Sequence, residues 1–139
     1  MTLRITTGAL AEMVAHAQDD APLEACGYLG ERDGTVGRVV RLTNADASPE
    51  HYSLVPAEQF AAVRALRREG WRLRAVYHSH PASPARMSAE DLRLALDRSL
   101  SYVIVSLAGA EPTVKSFRVD EAAGEEEILA IPGPVAREL

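Results

Sequence analysis

The chain has 139 residues, 47% of them apolar and 25% charged, with a formal net charge of −5. That length predicts a single domain, residues 1–139, able to bury a core without disulfide staples. The acid excess, with Lys115 the only lysine and Arg64, Arg67 and Arg68 followed at once by Glu69, argues against nucleic-acid binding as the main task.

In chain order, residues 3–6 predict a short strand, and Thr7 caps a helix whose Leu10, Met13, Val14 and Ala17 recur at helical spacing until residues 19–22 end it. Residues 26–32 and 36–43 predict two strands joined by the hairpin signal Asp33-Gly34. Residues 44–51 form a polar loop. Pro56 opens a second helix with Phe60, Val63 and Leu66 as its core face and Gly70 as its stop. Residues 73–79 predict a strand and residues 81–87 a loop with two prolines. Ser88 opens a third helix with apolar Leu92, Leu94, Ala95 and Leu96. Residues 102–107 and 113–119 predict strands around an Ala-Gly turn, residues 126–131 one more, and residues 135–139 a last turn of helix. More strands than helices, mostly in neighbouring hairpins, predict an α/β fold with a mixed β-sheet core flanked by helices. No apolar run reaches membrane-spanning length, and residues 1–5 lack the apolar stretch of a signal peptide. Cys26 is alone and makes no internal disulfide, which points to the cytoplasm.

The chemistry concentrates in His78-Ser79-His80-Pro81 and Ser88-Ala89-Glu90-Asp91. Alternation along a strand turns His78 and His80 to one face, and Pro81 ends the strand there. The ten residues between His80 and Asp91 suffice to return the carboxylate over the two imidazoles. Two histidines and one aspartate leave a fourth tetrahedral position for water, which is the donor set of a catalytic rather than a structural Zn2+ site. A separate carboxylate must then move the proton. Spacing alone does not choose it; Glu24 is the best placed, because it precedes the apolar strand at Cys26. The Ser88 hydroxyl is a donor for a developing oxyanion. Plainer readings stand beside these. Ser88 to Asp91 is also a capping box, Glu24 a solvated loop acid, Cys26 a small buried residue, and His16 and His51 surface or loop residues.

Together, Glu24, His78-Ser79-His80-Pro81 and Ser88-Ala89-Glu90-Asp91 resemble the full JAMM (MPN-plus) metalloprotease motif, and Glu24-Ala25-Cys26-Gly27, Thr43-Asn44-Ala45, Ser48-Pro49, Tyr52 and Glu58-Gln59 are similar to segments of its prokaryotic members. Met87 departs from the proline that many members carry before the serine. The resemblance covers most of residues 3–119. It implies a cytidine-deaminase-like layout, zinc on His78, His80 and Asp91, Glu24 as general acid/base and Ser88 at the oxyanion. It also implies a substrate: an amide bond after the C-terminal Gly-Gly of a ubiquitin-like (ThiS/MoaD-type) sulfur-carrier protein, with cysteine released in the subgroup this chain resembles most. The alternatives are a general isopeptidase removing ubiquitin-like modifiers from lysines, and a non-catalytic MPN scaffold, against which the intact motif argues. A nucleoside deaminase needs paired cysteines, which this chain lacks.

Overall fold

The computed structural model describes residues 2–120 and 123–131. Within them seven strands form one mixed sheet: β1 (Thr2–Arg4), β2 (Cys26–Arg32), β3 (Thr35–Leu42), β4 (Arg72–His80), β5 (Ser101–Ser106), β6 (Thr113–Asp120) and β7 (Ala123–Ala130). Their order is β1-β7-β6-β5-β4-β2-β3, with β1–β7 and β4–β5 parallel and the other pairs antiparallel. The helices are α1 (Thr7–Asp20), α2 (Pro56–Arg68) and α3 (Ala89–Leu94). Just past β1, Ile5 bridges to Val36 of β3, and the N–H of Thr6 donates to the Val36 carbonyl at 2.9 Å. The two edges of the sheet therefore meet, and the sheet curls towards closure instead of leaving both edges free.

Period-two alternation gives the curled sheet two apolar faces. The inner face carries Leu3, Leu29, Val36, Tyr77, Val103 and Val105 and packs on Met13 and Ala17 of α1. The outer face carries Cys26, Tyr28, Val76 and Tyr102 and packs on Ala62 and Val63 of α2 and Leu92 of α3. Strand β4 serves both: Ala75 and Tyr77 enter the inner cluster, whereas Val76 faces outward with His78 and His80 beyond it on the same side. A Cβ at Gly27 would overlap the Tyr77 ring, so the neighbouring strand position needs glycine. The β2–β3 turn has φ of 53° at Asp33 and 83° at Gly34, the left-handed pair that a tight hairpin requires.

Four expectations need correcting. Thr6, not Thr7, caps α1, its hydroxyl accepting from the Ala9 N–H at 3.1 Å. Phe60 is 67% exposed, whereas Leu66 is buried as expected and Ala62 is buried with it. Successive helical residues turn by about 100°, so Phe60 and Leu66, six apart, point about 120° apart, and only Leu66 meets the sheet. Helix α3 stops at Leu94, and Leu94 and Leu96 lie on the surface, while Ala95 is buried. His16 is buried, not superficial, with Nδ1 2.6 Å from the Tyr77 hydroxyl and Nε2 3.1 Å from Asp20. The helical turn expected at residues 135–139 lies outside the described residues. Among the described residues no helix is long and apolar enough to cross a membrane.

Candidate metal centre and its carboxylate

Strand β4 ends at His80, and its last outward-facing side chains are the two histidines. His78 and His80 approach through their Nε2 atoms at 3.1 Å. Asp91, in the first turn of α3, closes the group: Oδ1 lies 3.1 Å from His78 Nε2 and Oδ2 lies 3.1 Å from His80 Nε2. Around a tetrahedral zinc with bonds of about 2.05 Å, ligand atoms lie about 3.3 Å apart. The three side chains therefore converge, with one donor atom from each within 4.8 Å of the others, and the set of two imidazoles and one carboxylate suits zinc chemically. Among the described residues this is the one cluster of histidine, cysteine and acidic side chains with such convergence.

Neighbouring groups hold each donor in place. His80 Nδ1 lies 2.9 Å from the Pro84 carbonyl, which can only accept; the ring proton therefore sits on Nδ1, and Nε2 turns its lone pair to the centre. Tyr52 stacks on His78 with ring centroids 4.7 Å apart and planes 27° from parallel. Asp91 is held by a capping box. Its N–H donates to Ser88 Oγ at 3.0 Å, and the Ser88 N–H donates to its Oδ2, also at 3.0 Å. The same Oδ2 faces His80, so the cap that starts α3 also aims the carboxylate. Met87 packs beneath this loop among Ala85, Ile104 and Phe117.

Burial holds His78 below the ordinary imidazole range, against the pull of Asp91. Burial also disfavours charge on His80, but hydrogen bonding to Asp91 and to the Pro84 carbonyl outweighs it and raises that pKa. Burial resists ionisation of Asp91 as well, and the bonds from His78 and His80 prevail, keeping the carboxyl well below the usual carboxylate range.

Glu24 lies just before β2, whose residue Cys26 pairs with His78. The pairing continues outward, because the Ser79 N–H donates to the Ala25 carbonyl at 3.0 Å. Carried one residue further, the register sets Glu24 opposite His80. The Glu24 side chain is only 4% exposed, and its Oε1 has no hydrogen-bond partner. Burial pushes its pKa up to about 7, with His80 pulling the other way. A cavity of about 240 Å³ opens over the centre between the loops on either side, lined by Glu24, Pro49, Glu50, His80, Ser83 and Ser88. All five residues singled out from the sequence thus come together at one end of the sheet. Cys26 lies beneath them as a buried thiol, pushed up to about 12 by burial, which suits a packing role.

Residues 6–120 match the family model described as prokaryotic homologues of the JAB domain. The chain belongs to this family. The same assignment confirms its JAMM/MPN-plus character and its α/β fold. The chain is similar to the CysO-cysteine peptidase of Mycobacterium tuberculosis, 37% identical over 118 residues, covering 83% of this chain and 81% of the relative. It is also similar to a probable TtuB-protein conjugate cleaving protease of Thermus thermophilus, 38% identical over 133 residues, covering 94% and 84%. A solved solution structure from Desulfitobacterium hafniense superposes with a TM-score of 0.86 at 48% identity, covering 95% of this chain and 93% of that one.

Three further residues of this JAMM domain hold positions at the site to which the sequence, though it placed them in family-like segments, assigned no role. Tyr52 braces a histidine; the sequence marked it only as part of a segment similar to prokaryotic members, with no role attached. Ser79, between the two histidines, accepts the Ala25 N–H at 2.7 Å. Asn44 ties the loop down by donating to the carbonyls of Glu24 at 3.1 Å and His51 at 3.0 Å.

Proposed function

We propose that this JAMM domain is a zinc-dependent metallopeptidase that hydrolyses the amide bond after the C-terminal Gly-Gly of a ubiquitin-like sulfur-carrier protein, releasing cysteine. The observation that carries the peptidase reading is the convergence of His78, His80 and Asp91 beside a buried, unpartnered Glu24. In this reading His78, His80 and Asp91 hold the ion. When bound, zinc supplies Lewis acidity that lets a water lose its proton near neutral pH.

The remaining steps belong to side chains. Glu24 accepts the proton of the attacking water at its carboxylate. It returns that proton to the amide nitrogen as the C–N bond breaks and a C–O bond replaces it, so the carrier leaves as a carboxylate and the other product as an amine. A carboxyl poised near neutrality suits both directions of that transfer. Ser88 donates its hydroxyl hydrogen to the carbonyl oxygen as negative charge grows there; its oxygen can accept from Asp91 at the same time. Glycine in the last two positions of the tail allows the backbone to approach without a Cβ in the way.

Support for the substrate class comes from the names of the relatives, one a CysO-cysteine peptidase and another a probable TtuB-protein conjugate cleaving protease. The second name supports the runner-up, a general isopeptidase acting on lysine-linked modifiers. The test is a ThiS/MoaD-type carrier joined through Gly-Gly to cysteine or to a protein lysine, incubated with enzyme and followed by mass spectrometry. Release of cysteine by zinc-loaded protein and not by chelated protein is the expected result. Cleavage of the lysine conjugate alone would select the isopeptidase, and cleavage of neither by protein of verified zinc content would overturn the peptidase reading.

A further inference from the structure

A groove of about 290 Å³ lies on the outer face of the sheet, over Tyr28 of β2 and Val76 of β4. One wall carries Tyr52 and Leu54, and the other carries Leu94 and Leu96, at the end of α3 and just past it. Tyr52 joins the groove to the metal centre, because its ring also stacks on His78. The register agrees. Tyr28 pairs with Val76 and Cys26 with His78, which are consecutive outward positions of the same two strands, so groove and centre share one face.

The groove is built for apolar contact. Its polar groups are turned on one another: Gln59 donates to the Tyr28 hydroxyl at 2.9 Å, and the Tyr102 hydroxyl donates to the Asp97 carbonyl at 2.8 Å while accepting the Asp97 N–H at 3.1 Å. Leu94 is 43% exposed and Leu96 is 84% exposed, so the rim offers apolar surface that a bound chain would withdraw from water. The volume of about 290 Å³ falls just short of the roughly 300–1,000 Å³ of pockets that take a whole small molecule, and so suits a side chain.

We infer that this groove is a side-chain subsite for the carrier's tail, holding an apolar residue from one of the two positions ahead of Gly-Gly, and that Leu94 and Leu96 set that preference. The inference rests on the peptidase reading above. Glycines carry no side chain, so the last two positions of a tail offer only backbone, and discrimination falls to residues further up. Ser88, placed at the scissile carbonyl, opens α3, and α3 leads from it to Leu94 on the groove's wall. From Ser88 to Leu94 the helix rises about 9 Å, which is about two to three residues of extended chain at roughly 3.3–3.6 Å each. A tail with its last carbonyl at Ser88 therefore brings the third or fourth residue from its end between Leu94 and Tyr52. Side chains alternate along an extended chain, so only one of those two residues faces the groove.

The test uses ThiS/MoaD-type carrier–cysteine conjugates with leucine, alanine or arginine at each of the two positions ahead of Gly-Gly, incubated with zinc-loaded protein. At one position leucine is expected to exceed alanine in kcat/KM by about ten- to a hundredfold, the gain of burying its larger side chain. At the other position the three tails should be cleaved alike. Leu96→Ser should shrink the leucine preference, mostly through KM, and Leu96→Ile should retain most of it. Leu96 lies on the surface, so both variants should keep the wild-type zinc content and unfolding midpoint. Three results would overturn the subsite while leaving the peptidase intact: leucine and alanine tails cleaved alike at both positions, a preference untouched by Leu96→Ser, or arginine favoured over leucine, which would pass recognition to Asp97. Cleavage of none of the conjugates would remove the peptidase reading and the subsite with it.

Discussion

The hydroxyl of Ser79 accepts the backbone N–H of Ala25 at 2.7 Å, and both residues are fully buried. This bond extends the β2–β4 pairing past its last ladder residue and sets where Glu24 leaves the sheet. In Ser79→Ala the Ala25 N–H loses its partner in a place water does not reach, which costs about 1–3 kcal/mol. Chemical denaturation should register that loss. Zinc content should stay at one per chain while turnover falls, since the bond positions the acid and not the metal donors. Unchanged stability would mean that Ser79 is not what holds Ala25.

Glu24→Gln should keep fold and zinc and lower turnover by about a hundred- to ten-thousandfold, the usual contribution of a general acid/base. The same substitution has a pH signature in metal-free protein. Burial raises the Glu24 pKa from the 4.5 of an ordinary glutamate to about 7. The folded state then binds the proton more tightly than the unfolded chain. Below the unfolded pKa both states are protonated and the shift contributes nothing. As pH rises through this window the folded state loses stability, on the order of 2–3 kcal/mol by pH 8. Glutamine has no proton to lose, so the variant should overtake wild type in stability as pH rises from 4 to 8. Parallel stability curves for the two proteins would show that Glu24 carries no raised pKa.

Ser88 stands at the junction of a structural and a chemical role. As N-cap its loss costs about 1 kcal/mol of stability. As an oxyanion donor its loss costs about 2–4 kcal/mol of transition-state energy. Ser88→Ala should therefore lower the unfolding midpoint slightly and kcat by roughly a hundredfold or more, with zinc retained. A midpoint shift without a rate loss would reduce Ser88 to a cap.

The site was more legible in the sequence than the closure of the sheet. His78, His80 and Asp91 announce themselves because strand alternation and an N-cap are local rules, and the limits expected for the Cys26 strand match β2. The hairpin was readable from Asp33-Gly34 for the same reason. Glu24 is different: in isolation it is a loop acid, and what buries it is a register with a strand more than fifty residues away. His16 was misplaced for a like cause, since its partner Tyr77 lies 61 residues on. The Ile5–Val36 bridge that brings the sheet edges together is a single contact with no periodic signature. Phe60 was misread because three apolar residues at intervals of three drift around a helix instead of holding one line.

Tyr52 provides the last test, because its ring and its hydroxyl can be separated. The ring lies against His78 at 4.7 Å and within 27° of parallel. It also joins the outer apolar cluster beside Cys26 and Leu54, which anchors it. A braced imidazole loses little rotamer freedom when it takes a metal, and substitutions behind a ligand typically weaken metal affinity by about ten- to a hundredfold. Tyr52→Phe preserves the stack and should bind zinc as wild type does in competition with a chelator of known affinity. Tyr52→Ala removes the stack and should bind about ten- to a hundredfold more weakly. It should also unfold more easily, since a half-buried aromatic leaves a cavity. Equal zinc affinity in all three proteins would limit Tyr52 to packing, and a loss of the same size in both variants would move the role from the ring to the hydroxyl.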